Sequence, residues 1–152
     1  GDGAAAVVLS VRPAPPGRRS VRLAGMGYDL EAHAMGDREL TRWEGLGRAL
    51  QRACADAGIG GPKAAIDLAE PCCLYPHEEE LFLDACAIGG ETVISPGGGL
   101  FGGTAPVVAG LSRLIAAARG LREHRRYSRA LAHAAWGPAG HGQAVVLLEA
   151  AD

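Results

Sequence analysis

The chain closes on Arg129-Ala130-Leu131-Ala132-His133-Ala134-Ala135 and Gln143-Ala144-Val145-Val146-Leu147-Leu148-Glu149, two apolar runs of strand length flanking Trp136-Gly137-Pro138-Ala139-Gly140-His141-Gly142. Glycine and proline punctuate the middle segment, so the run predicts strand, turn, strand. The second strand is apolar at nearly every position, which suits an interior strand or one sandwiched between helix layers. Immediately upstream, Val107, Val108, Leu111, Leu114, Ile115 and Ala118 recur at helical spacing. They predict a helix with a continuous buried stripe, capped by Thr104 after the glycine pair Gly102-Gly103. Before it, Thr92 to Ile94 predicts a short strand running into Ser95-Pro96-Gly97-Gly98-Gly99.

Further back, Pro76 and the acidic triplet Glu78, Glu79 and Glu80 open another helix, whose positive N-terminal end suits carboxylates. That helix is expected to bury Leu81, Phe82, Ala85 and Ile88 and to stop at Gly89-Gly90. Ala64 to Ala69 predicts a strand. Thr41 with Glu44 three residues later predicts a capping box, after which Trp43, Leu46, Leu50, Cys54 and Ala57 share one helical face. Gly58 followed by Ile59 predicts a Schellman-type stop. Ser20 to Ala24 and Ala4 to Leu9 complete the strands, with Pro13-Ala14-Pro15-Pro16-Gly17 as the turn between them. This alternation, without repeat or linker, predicts a single layered α/β domain.

A chain of 152 residues is long enough to bury roughly 68–70% of its unfolded surface in one core. A net charge of -2 creates no field that would gather nucleic acid or an anionic membrane. No apolar run approaches the roughly 18 residues of a membrane span, and no basic segment leads into an apolar one at the N-terminus. A cytoplasmic protein is the simplest expectation. Cys54, Cys72, Cys73 and Cys86 lack the paired spacing of a zinc site and read as reduced, small, buried side chains; no metal site is expected.

Several stretches, in order, resemble the thiolase superfamily, closest to the sterol-carrier-type thiolase and actinobacterial lipid-transfer (acetyl-CoA acetyltransferase-like) branch. Gly1 to Leu9 resembles the last strand of a thiolase N-terminal half, so that residues 1–152 would be the C-terminal domain with residues 1–10 as the remnant of the other half. Asp67-Leu68-Ala69-Glu70, followed by Tyr75 and Glu79 to Leu81, resembles the loop that supplies an Asn or His to the active site. Ser95 to Leu100 and on to Pro106 resembles the Asn-Pro-Ser-Gly-Gly stretch that leads into Gly-His-Pro. Ala132 to Gly142 and the following Ala144 to Leu147 resemble the segment carrying the second catalytic cysteine and the final strand. The resemblance implies a three-layer α/β/α half-thiolase with a mixed five-stranded sheet. It also implies acyl transfer or Claisen chemistry on an acyl-CoA thioester, with coenzyme A entering as the substrate's carrier.

The departures fall on the chemistry. Aligning the glycine pair and proline puts Ala105 where the activating histidine belongs, and a methyl group neither takes a proton nor donates to an oxyanion. The second cysteine falls between Trp136 and Pro138, none of which titrates near neutral pH. The Asn or His of the middle loop falls near Cys72, whose apolar surroundings would leave the thiol inert. His141, in its glycine loop, and Tyr75 are the weak substitutes. Tyr75 enters because some thiolase-like proteins without the cysteine and histidine are aldolases that use tyrosines. His133 alternates with apolar residues and reads as structural.

Gly97, Gly98 and Gly99 either form a tight turn or let backbone N–H groups approach an acyl thioester or a phosphate. Trp136 and Gly137 either shape an acyl pocket or simply pack. Arg119, Arg122, Arg125, Arg126 and Arg129 either meet coenzyme A phosphates or complement the helix end. The expected function is therefore acyl-CoA binding in fatty-acid or sterol side-chain metabolism by the C-terminal domain of an acyltransferase-like or lipid-transfer protein. The alternatives are a non-catalytic subunit completing a thiolase-like partner, or a component of a retro-aldol acyl-CoA lyase. A thiolase-like N-terminal half or partner subunit, or a second copy, is expected to cover the exposed face in a homo- or hetero-oligomer.

Overall fold

The computed structural model describes residues 3–12, 15–62, 66–88, 90–101 and 105–151. Its strands are β1 (Ser20–Leu30), β2 (Leu68–Glu70), β3 (Val93–Ile94), β4 (Arg129–Trp136) and β5 (Gly142–Ala151), and its helices are α1 (Glu44–Asp56), α2 (Pro76–Cys86) and α3 (Ala109–Glu123). The strands form one sheet in the order β1-β5-β4-β2-β3. β2 runs parallel to β3 and β4, whereas β5 pairs antiparallel with β4 and β1. This is the expected mixed five-stranded sheet between helix layers, and β5 is the interior strand that its unbroken apolar run predicts.

Strand alternation sorts the core. Leu131 and His133 of β4 and Val145 and Leu147 of β5 face α1 and α2, where Leu46, Leu50 and Phe82 close over them. Ala130, Ala132 and Leu148 face the other way, onto Ala117 and Leu121 of α3. β1 extends six residues past the expected end because Gly25 and Gly27 let α1 lie directly on it. A methyl group on Gly25 would stand 2.2 Å from the Ala53 carbonyl oxygen, and one on Gly27 would stand 2.0 Å from that of Ala49. Side chains of α1 also close the outer edge of β1. The Met26 N–H donates to Asp56 Oδ2 at 3.0 Å, the Tyr28 carbonyl accepts from Arg52, and Asp29 pairs with Arg48 and Arg52.

Several helix boundaries differ from those expected. Thr41 does not cap α1: its hydroxyl and N–H both donate to Glu39, and the Gly45 N–H donates instead to Glu31 Oε1 at 2.9 Å. A carboxylate at the end of β1 thus does from a distance what the local Thr41–Glu44 box was expected to do. The Schellman stop is present, with Gly58 at φ 70° and the Ile59 N–H donating to the Cys54 carbonyl at 2.9 Å. α2 ends at Ala87 in the left-handed region, ahead of Gly90; Gly89 lies outside the described residues. Its buried face is Phe82 and Cys86, with Leu81, Ala85 and Ile88 half-buried against the same cluster.

The strand expected from Ala64 to Ala69 is Leu68–Glu70, residues 63–65 lying outside those described. Residues Ala4 to Leu9 belong to no strand. Ala6 to Leu9 lie on the α3 side of the sheet, against Val21, Leu23 and Leu114, rather than in its plane, where a ladder partner would be. Gly102, Gly103 and the expected cap Thr104 also lie outside the described residues. α3 begins at Ala109, after one 3-10 turn at Pro106–Val108.

The expected stripe on α3 is not the buried one. Ala109, Arg113, Ala117 and Leu121 face the sheet, Leu111, Leu114, Ile115 and Ala118 are half-buried on the flank, and Val107 is exposed. The helix sits too close for large residues at the contact: a methyl group on Gly110 would meet Ala134 Cβ at 2.5 Å, and one on Gly120 would meet Leu68 Cδ2 at 2.4 Å. Leu121 is fully buried, so Leu121→Ala is expected to cost about 2–5 kcal/mol. Leu114→Ala should cost clearly less. Urea denaturation of both variants checks this, and equal losses would overturn the assignment of faces.

Candidate functional site

In open α/β sheets ligands bind beyond the carboxyl ends of the parallel strands, and here four segments converge at the end of β2. The chain leaves β2 at Glu70 and continues through Pro71 to Cys72. β3 delivers the turn from Ser95 to Gly99, β4 brings Ala135, and α3 brings Ala109. Cys72, Leu100 and Ala109 form one small buried apolar cluster. Burial pushes the Cys72 thiol up, with the Ala135 N–H and Arg113 pulling weakly the other way. The thiol therefore stays protonated and unreactive at neutral pH.

Beside this cluster lies an ion pair that the sequence reading did not assign. Arg113 Nη1 donates to Glu70 Oε2 at 2.7 Å, and both side chains are buried. Burial raises the Glu70 carboxyl above its ordinary range, while Arg113 and the Gly97 N–H hold it back. Arg113 Nε has no hydrogen-bond partner among the described residues. The pair joins β2, the glycine turn and α3. Its sequence signal was slight: Glu70 ends the otherwise apolar β2, and Arg113 is the lone charge among the sheet-facing residues of α3. The turn takes Ser95, Gly98 and Gly99 at positive φ, closed by the Gly98 N–H donating to the Ser95 carbonyl at 2.8 Å. Gly97 and Gly98 are exposed there.

Cys72 is also held through its backbone. Its N–H donates to His133 Nδ1 at 3.2 Å; Nε2 therefore carries the proton and donates to Gln143 Oε1 at 2.6 Å, and Gln143 Nε2 donates to the Gly140 carbonyl at 2.6 Å. Phe82 and Trp43 pack against the imidazole with ring centroids at 5.3 and 5.7 Å. His133 is thus a structural histidine, and burial lowers its pKa to about 4.

The remaining candidates are more dispersed. Ala105 touches Gly3. Trp136 is 44% exposed, with its ring over Gly142. Gly137 takes φ 75° beneath the ring of His141, and the Pro138 carbonyl accepts from Arg38. His141 meets His33 edge-on with centroids 5.0 Å apart, its buried Nδ1 having no partner among the described residues. Tyr75 is 59% exposed at the start of α2, stacked on His77. Cys72 and the glycine turn therefore come together, whereas Tyr75 and His141 have other neighbours.

Two measurements follow from these contacts. Because His133 binds its proton less tightly in the folded chain than in the unfolded one, its contribution is full above pH 6.5 and is lost as pH falls towards 4. That loss is worth roughly 3 kcal/mol. Urea unfolding across this range should show the decline, and a flat profile would refute the buried neutral imidazole. Removing one partner of a buried ion pair strands the other charge, so Arg113→Met is expected to cost about 3–5 kcal/mol. A loss under about 1 kcal/mol, the size typical of an exposed pair, would show that Glu70 is solvated.

No protein-family model matches the sequence, and no curated protein sequence matches it. Solved structures do. A 3-oxoacyl-(acyl carrier protein) synthase III from Xanthomonas oryzae pv. oryzae superimposes with a TM-score of 0.63 at 16% identity over 87% of this chain and 56% of its own. A variant of OleA from Xanthomonas campestris gives 0.62 at 14% identity over 86% and 56%. A monomeric SCP2-thiolase like protein type 1 from Mycobacterium smegmatis gives 0.62 at 19% identity over 85% and 29%. The chain spans just over half the length of the first two and under a third of the last. At these identities the likeness is one of fold: the chain has a thiolase-like half fold.

Proposed function

We propose that this chain is the C-terminal domain of a thiolase-like acyl-CoA acyltransferase or lipid-transfer protein. It binds an acyl-CoA thioester at the end of β2 and supplies neither the activating histidine nor the second cysteine. The observation that carries this reading is the cluster of Cys72, Leu100 and Ala109 beside the exposed Gly97 and Gly98. It offers an apolar wall and close backbone approach at a sheet end suited to ligands, with a thiol held protonated. Trp136 and Gly137 close the same end of β4, and the sequence resemblance aligns Ala105 and Pro138 with the family's catalytic positions. Coenzyme A enters as part of the substrate. The likeness to a 3-oxoacyl-(acyl carrier protein) synthase supports an acyl substrate class.

A non-catalytic role completing a partner of the same fold is favoured by one further observation. Met26, Tyr28 and Leu30 of β1 point to the α3 side and are 59%, 66% and 56% exposed. Apolar area left in water is unfavourable by roughly 25 cal/mol per Å² and usually marks an interface.

The reading is tested by two assays on one preparation. Trp43 is buried and Trp136 partly exposed, so titration with a medium-chain acyl-CoA should change Trp136 fluorescence saturably, and Trp136→Phe should abolish the signal. Acetoacetyl-CoA with free coenzyme A should give no turnover above a heat-killed control. Turnover would show a working acid-base group at this site, and absence of binding would remove the ligand.

A further inference from the structure

A groove of about 540 Å³ runs beside the second half of α3, away from the site at the end of β2. Its floor is Val21, Leu23 and Leu148, where β1 enters the sheet and β5 leaves it. Leu114, Ile115 and Ala118 form one wall, and residues 6–9 form the other. Ala109 belongs to the cluster at the end of β2, whereas Arg122 stands at the mouth of the groove, and about 20 Å of helix separates them. Val8 and Leu9 remain 94% and 69% exposed. The chain itself thus leaves this apolar lining largely uncovered.

The charges at the mouth identify the occupant. Residues 119–126 carry four arginines against one glutamate, Glu123. Cations at a helix C-terminus ordinarily answer its unpaired carbonyls, but here Arg19 does so: its Nη1 donates to the carbonyls of Leu121, His124 and Tyr127 at 2.7, 3.3 and 3.0 Å. Arg119 and Arg122 line the groove and are exposed, and their guanidinium groups make no hydrogen bond or ion pair among the described residues, Glu123 included. We propose that the groove binds a free medium-chain fatty acid, its chain lying between α3 and residues 6–9 and its carboxylate meeting the guanidinium groups of Arg119 and Arg122. Pockets for small ligands run to roughly 300–1,000 Å³, whereas a docked helix about 10–12 Å across would fill this groove with about one turn. Two arginines and one glutamate leave a single positive charge at the mouth, which one carboxylate balances and a phosphate dianion would overbalance. The groove shares no residue with the acyl-CoA site proposed at the end of β2, so the two readings stand independently.

Calorimetric titration of the chain with hexanoate, octanoate and decanoate, each kept below its micelle concentration, should show one saturable site whose affinity rises severalfold along the series. 1-Octanol, which has the chain without the charge, should bind at least tenfold more weakly than octanoate. The double variant Arg119→Gln/Arg122→Gln should lower octanoate affinity at least tenfold and leave 1-octanol unchanged. Both arginines are exposed, so the variant is expected to keep its fold, which circular dichroism verifies. Arg42→Gln, exposed ahead of α1, should change nothing. Absence of saturable binding, an affinity independent of chain length, or full binding by the double variant overturns the proposal, as does binding of octyl phosphate in place of octanoate. Decanoate should still bind when decanoyl-CoA is saturating, and competition between them would refute a second site. Failure of Trp136 to respond to acyl-CoA while decanoate still binds refutes the acyl-CoA reading alone.

Discussion

Close approach of the helices to the sheet at glycines is the constraint on which the rest of this fold depends. α1 lies on Gly25 and Gly27, and α3 presents Gly110 and Gly120 to Ala134 and Leu68. A methyl group on Gly25 or Gly27 would strike the α1 backbone and one on Gly110 would strike Ala134 Cβ, whereas one on Gly120 would press on the end of the Leu68 side chain, so the helices lie close and the larger residues are pushed to either side of each contact line. That displacement puts Leu46 and Leu50 into the core on one face and leaves Leu111, Leu114 and Ile115 on the flank of α3 on the other. A β-carbon at Gly25, Gly27 or Gly110 would act as a wedge, and a close-packed interior has little slack to absorb it.

The close approach also explains how so small a domain buries a charged pair. With α3 held against β2, Arg113 reaches Glu70 at the point where the strand ends and the glycine turn begins. On the opposite face, His133 reaches from the neighbouring strand to the Cys72 backbone and, through Gln143, to the turn before β5. Two polar links, one per face, thus pin the same few residues. The segment after β2 is kept in place by groups whose protons are committed to structure.

The fold was largely legible because its strongest signals were periodic. The interior position of β5 follows from the unbroken apolar run Ala144 to Leu148, and the Schellman stop after α1 from a glycine and an isoleucine in the right order. What escaped was set by distant partners. The length of β1 depends on α1 lying across it, the cap of α1 comes from Glu31 rather than Thr41, and the buried face of α3 follows small residues because glycine, not leucine, permits contact. Ala4 to Leu9 has strand composition, but a strand is defined by its neighbour. At the site, Cys72 and the glycine turn were found through their sequence setting. Glu70 and Arg113 acquire meaning only as a pair, and they lie 43 residues apart.

The outer edge of β1 carries one more consequence. An eleven-residue strand with one side open is a template onto which other chains can add, the usual first step towards fibrils. Here Asp56 occupies the Met26 N–H, Arg52 the Tyr28 carbonyl, and the arginines gathered on Asp29 crowd the same side with charge. An incoming strand would have to displace ionic groups before making its first hydrogen bond. The molecule therefore guards the edge of its sheet electrostatically, so that open-ended strand addition meets a barrier of charge before any backbone pairing can begin.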